Sequence, residues 1–113
     1  MKSRKEIADL VSLLKVFDVN FVNDEDAAQL SGLDVNSEAD VRKAINALLI
    51  PEFVRYLPAS QGRMLESLRA YLSDDAEEFS ELFDRIELAF DEPLVDRRSF
   101  MSIILDALEP VKN

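Results

Sequence analysis

The side chains in this 113-residue chain that could do chemistry are carboxylates, and they are concentrated in one place. From Asp74 to Glu92 stand Asp74, Asp75, Glu77, Glu78, Glu81, Asp84, Glu87, Asp91 and Glu92, with Arg85 as the single base. One positive and nine negative charges give this stretch −8 of the chain's formal −10, so the remainder is nearly balanced. There is no cysteine and no histidine. Thiolate nucleophiles, disulfides and zinc–sulfur sites are thereby excluded, and the commonest general base is missing. Gly32 and Gly62 are the only glycines and stand apart, which excludes a Gly-rich phosphate loop. Three uses remain for the carboxylates: holding a hard cation, presenting negative charge to a basic partner, or forming a solvated face that serves solubility alone.

Three patterns bear on the cation reading. Asp18-x-Asn20 has Val22 where a calcium loop needs its next oxygen, and Asp34-x-Asn36-x-Glu38 has Ala39 and Ile45 where glycine and a bidentate glutamate belong. Both fail. Glu77-Glu78-Phe79-Ser80-Glu81 reads E-E-x-x-E, with carboxylates at positions that share a helix face. This is similar to the magnesium-binding helix of the all-α nucleotide pyrophosphohydrolases, and the resemblance implies a magnesium-dependent nucleotide hydrolase acting through Glu77, Glu78 and Glu81. In that family an E-x-x-D pair sits on the following helix. Here the corresponding residues, Asp106-x-x-Glu109, run in the opposite order.

The partner reading starts from the same stretch drawn as a helix over about 75–90, ended by Pro93. At 100° per residue Ala76, Phe79, Leu82, Phe83, Ile86, Ala89 and Phe90 fall in an arc of roughly 140°, wide enough to face a core. On the other side Glu77, Glu81, Asp84, Leu88 and Asp91 form a row about 21 Å long at 1.5 Å per residue. That length and spacing match phosphates along a nucleic-acid strand, so the row would fit a phosphate-binding groove on a basic protein. Glu87, Asp91 and Glu92 oppose the dipole at the helix C-terminus by about 0.3–1 kcal/mol each, a cost that solubility alone does not explain. An apolar Leu88 ringed by charge is the arrangement of an interface anchor. These five residues are the predicted partner-binding set.

The rest of the chain must position them. Ser3 and Glu6 form a capping-box pattern ahead of a helix over 4–17, whose Ile7, Leu10, Val11, Leu14 and Phe17 repeat at helical spacing. Residues 18–23 are expected to lie as a loop against the core. Asn23 caps a short helix over 24–31, and Gly32 suits the left-handed position after it. Ser37 caps a helix over 38–49, which Pro51 should end or kink by pushing Ile50 out of the α region. Residues 51–57 add a turn or two up to Pro58, and Ser60 opens the next helix. Asp96 caps the last helix, 97–108, whose apolar residues spread around most of its circumference and place it centrally.

Residues 26–45 also resemble a helix-turn-helix, with Ala28 and Gly32 correctly separated and Val41, Arg42 and Lys43 opening a reading helix. The turn is about three residues longer than the common motif allows. A chain at −10 is moreover poorly suited to phosphate backbones. No apolar run approaches the roughly 18 residues of a membrane span. Asp9 and Lys15 interrupt the only leader-like stretch, so the N-terminus is expected to be kept.

The sequence therefore predicts an all-α, single-domain bundle of five or six short helices over 1–113. Its predicted function is that of a small acidic cytoplasmic interaction protein, not an enzyme, with no cofactor and no metal site. The most concrete version is an inhibitor of the immunity-protein or antitoxin type, covering the basic groove of a partner such as a toxin nuclease through 74–92. A regulator using 26–45 is the alternative, followed by the magnesium-dependent hydrolase.

Overall fold

Periodic apolar spacing with local caps produces most of the helices. The computed structural model describes residues 4–113, with side chains from Glu6 onward; the cap expected of Ser3 lies outside the described residues. Helix α1 (Arg4–Leu14) buries Ile7, Leu10, Leu13 and Leu14, with Val11 half-buried. Its last turn tightens to a 3-10 turn, Lys15–Phe17, that carries Phe17 into the core. Asp9 is not simply a break in the apolar stretch. It is buried, and accepts from Arg63 Nε at 3.3 Å and from the Ser67 hydroxyl at 3.1 Å, which ties α1 to the segment carrying those two residues.

Helix α2 (Asp24–Leu30) opens as expected, the Asn23 side chain accepting from the Asp26 N–H at 2.7 Å. Gly32 follows at φ +83°. Asn23→Ala should cost about 1 kcal/mol, the usual loss for an N-cap, read as a lower denaturation midpoint with an unchanged slope. Helix α3 (Glu38–Ala44) starts at Ser37, whose hydroxyl lies 3.4 Å from the Asp40 N–H.

Pro51 does not end this helix. Ile50 stays in the α region at φ −60°, ψ −46°, and α4 (Ile50–Phe53) continues from a π turn at Ile45–Leu49. The π turn explains the tolerance. Ile50 N–H bonds five residues back to the Ile45 carbonyl, which widens the helix just where the proline ring would meet a carbonyl of the preceding turn. Helix α5 (Pro58–Leu72) begins with Pro58 in its first turn rather than at Ser60. Gln61, fully buried, donates to the Phe53 and Tyr56 carbonyls at 3.1 and 3.0 Å and accepts from Asn113 N–H at 2.9 Å. One amide thus closes the α4–α5 turn and holds the C-terminus. Burial, with a smaller contribution from Glu52, pushes the Tyr56 phenol in this turn above 10.0.

After α6 (Ser80–Arg85), helix α7 (Arg97–Leu108) has its predicted bounds and cap, Asp96 accepting from Ser99 N–H at 3.0 Å. It packs on α3 and α5 and buries Phe100, Met101, Ile103, Ile104 and Leu108. With α3, the π turn and α4 running on as one rod, the described residues form six helices and no named strand, an all-α bundle. None of these helices is long and apolar enough to cross a membrane.

Candidate partner-binding surface

The acidic segment is where structure and sequence reading differ most. Instead of a helix over 75–90, the chain leaves α5 at Leu72, turns through 73–79, makes only α6, and runs extended from Ile86. Arg98, in the first turn of α7, supplies the reason. Its guanidinium donates to the carbonyls of Leu72 at 2.7 Å, Asp74 at 2.9 Å and Glu77 at 3.1 Å. These oxygens would otherwise need water or a continuing helix. Phe79 then takes φ +61°, a left-handed conformation that a non-glycine residue adopts only when its surroundings compensate. The compensation is visible: the ring is fully buried, 5.8 Å from Tyr71, and its N–H donates to Glu77 Oε2 at 2.7 Å.

Beyond α6 the backbone pairs with the end of α1. Val19 N–H donates to the Glu87 carbonyl at 2.8 Å and Ala89 N–H to the Phe17 carbonyl at 2.7 Å, an antiparallel bridge centred on Asp18 and Leu88. Asp18 is buried and accepts from both the main-chain and side-chain N–H groups of Asn20, at 3.0 and 3.1 Å. Residues 91–95 are fastened to the loop after α2. Gly32 N–H donates to Asp91 Oδ2 at 3.1 Å, Asn36 Nδ2 to the Pro93 carbonyl at 3.0 Å, and Val95 N–H to Asn36 Oδ1 at 2.8 Å.

The predicted row is therefore dismantled as a helix face. Glu77 is half-buried and braces Phe79; Leu88 is half-buried in an extended segment; Asp91 is exposed and bonded to Gly32. Only Glu81 and Asp84 share a helix, both exposed, with Glu81 3.0 Å from Arg85. The E-E-x-x-E pattern loses its geometry for the same reason, since Glu77 and Glu78 precede α6 and Phe79 turns the chain before Glu81. Among the described residues no group of three or more acids is placed to hold a metal ion. In the 26–45 stretch Val41 is buried in the core, Arg42 pairs with Glu38 at 3.0 Å and lies 3.9 Å from Asp106, and Lys43 lies 3.8 Å from Asp40. The two cations of that helix thus already face carboxylates.

What the fold does assemble is a composite surface. Asp75, Glu78, Glu81, Asp84, Glu87, Asp91 and Glu92 remain exposed, and among the described residues no cation pairs with Glu78, Asp84, Glu87 or Glu92. Beside Glu87, the 18–22 turn leaves Val19 41% and Phe21 64% exposed. The expectation that 18–23 lies as a loop against the core holds only in part: Asp18 goes in and Val22 is half-buried, while Phe21 stays out. A shallow depression of about 360 Å³ follows the extended segment, floored by Phe83, Leu88 and Leu94 and edged by Glu87, Asp91 and Glu92. Arg97 sits at its margin, 5.3 Å over the Phe83 ring.

The fold defines the molecule at the level of class, a small all-α bundle with an acidic, partly apolar surface patch. No protein family, curated protein or solved structure matches the chain.

Proposed function

We propose that this is a small acidic interaction protein that binds a basic protein partner through 74–92 and the adjoining 18–21 turn. The observation carrying the reading is the exposure of Phe21 and Val19 beside Glu87, a carboxylate with which no cation among the described residues pairs. Exposed apolar residues within a rim of charge can act as anchors, while the charge speeds encounter and sets partner choice. Glu81, Asp84, Leu88 and Asp91 keep their proposed places in this surface; Glu77 supports it from below. The concrete form of the proposal remains a cytoplasmic inhibitor of the immunity-protein or antitoxin type, lying over the basic groove of a toxin nuclease.

Immobilised protein should capture a basic partner from lysate at about 50 mM salt and release it as screening shortens the reach of exposed charges. Phe21→Ala and the pair Glu87→Lys, Glu92→Lys should each weaken capture at least about tenfold, equivalent to roughly 1.4 kcal/mol. Undiminished capture by both variants would remove the basis for choosing this surface.

A further inference from the structure

The bridge between 17–19 and 87–89 leaves one side of the extended segment open. Asp18 and Leu88 face each other without bonding directly, flanked by the Val19–Glu87 and Ala89–Phe17 hydrogen bonds. In such an antiparallel pair each residue directs its own N–H and C=O away from the other strand. Asp18's outward groups are used locally, its N–H on the Lys15 carbonyl and its C=O by the N–H groups of Phe21 and Val22. Leu88's are not. Among the described residues its N–H and C=O bond to nothing, nor do the N–H groups of Ile86 and Phe90, which alternate with the paired positions. An extended segment with one unpaired edge is a template for another strand.

We propose that this edge, residues 86–90, takes up an extended basic segment of the partner as an added strand. The inference rests on the acidic-surface reading above and specifies how that surface is occupied. The occupant's chemistry follows from period two. Side chains on the Leu88 face would enter the depression over Phe83 and Leu94 and must be apolar. Those on the alternate face would meet Glu87, with Asp91 and Glu92 at the edge, and should be lysine or arginine. Main-chain bonds to Leu88 supply affinity that is indifferent to sequence, and the alternation supplies selection.

A capped hexapeptide alternating lysine and valine is the probe, with a fully N-methylated version of identical charge as its control. The unmodified peptide should slow hydrogen exchange at Leu88 N–H at least about tenfold and leave Ala89 N–H, already bonded to Phe17, unchanged. The N-methylated peptide should bind about tenfold or more weakly, having lost its main-chain donors. Equal binding of the two peptides without protection at Leu88 would overturn the added strand and leave the acidic surface standing, as would failure of both to bind. If Leu88 is protected but the Glu87→Lys, Glu92→Lys protein binds the peptide equally well, the edge survives and the charge reading falls.

Discussion

Phe100→Ala is expected to lower the unfolding free energy by about 3–5 kcal/mol, the range for truncating a fully buried phenylalanine. Phe100 is 1% exposed, and its ring lies 6.3 Å from Phe17, 6.3 Å from Phe83 and 6.4 Å from Phe90. Those neighbours belong to the end of α1, to α6 and to the extended segment, so one side chain on α7 holds together three pieces that the chain does not connect locally. Each aromatic pair adds about 0.5–1.5 kcal/mol beyond area burial, and the gap left by alanine has few ways to close because its walls come from different elements. Small domains have only about 5–15 kcal/mol in hand, so the variant should be marginal at 25 °C. Denaturant titration checks this, with Phe21→Ala as the control. That substitution removes the same ring from a site 64% exposed and should fall within about 0.5 kcal/mol of the parent. A loss below about 1.5 kcal/mol at Phe100 would mean that the cluster is not the joint between these elements.

The parts of this structure legible in the sequence are those decided within a few residues. Asn23, Ser37 and Asp96 cap helices because an oxygen three residues upstream is all that such a start requires. Gly32 takes positive φ for an equally local reason. Of the apolar set Ala76, Phe79, Leu82, Phe83, Ile86, Ala89 and Phe90 expected to face the core, Ala76 is exposed and Phe83 and Ala89 are half-buried, while Phe79, Leu82, Ile86 and Phe90 are buried. Helical spacing was nevertheless the wrong explanation for them. Phe79 reaches the core from a left-handed residue, Leu82 from a helix of six residues, Ile86 from an extended residue and Phe90 from the bend that follows the bridge.

The same burial pattern can thus be met by more than one backbone, and distant groups choose between them. The Phe17 and Glu87 carbonyls are 70 residues apart in sequence, yet each accepts a bond across one bridge. No window of local pattern contains that pairing. Gln61 is hidden from local pattern for a related reason, since a glutamine that binds carbonyls at 53 and 56 reads in sequence as an ordinary surface residue of a helix. The predicted partner row failed as geometry because it assumed that the charges inherit the helix implied by the phenylalanines. Glu81, Asp84 and Asp91 are still exposed, but of the row only Asp91 lines the same depression as Leu88.

Arg98 is the group whose removal should do most to the acidic segment itself. Arg98→Met keeps much of the apolar stem and deletes bonds to the Leu72, Asp74 and Glu77 carbonyls. A hydrogen bond from a charged donor contributes about 1.5–3 kcal/mol, but these carbonyls lie near the surface, where water can replace part of the loss, so about 2–4 kcal/mol in total is expected. Arg98→Lys should recover only part of it, because one compact ammonium cannot span three oxygens as a planar fork does. Arg97→Met is the matched comparison. It removes the neighbouring cation, whose contact is the Phe83 ring at 5.3 Å, worth about 0.5–1 kcal/mol at an exposed site. The two variants change net charge equally, so a difference between them isolates the carbonyl contacts from electrostatics. Hydrogen exchange should show the Phe79 N–H, held by Glu77 at 2.7 Å, losing protection in Arg98→Met and keeping it in Arg97→Met. If both variants melt together and exchange alike, the left-handed turn at Phe79 is maintained by burial of its ring alone. The break in the acidic helix would then belong to Phe79 and Tyr71 rather than to Arg98.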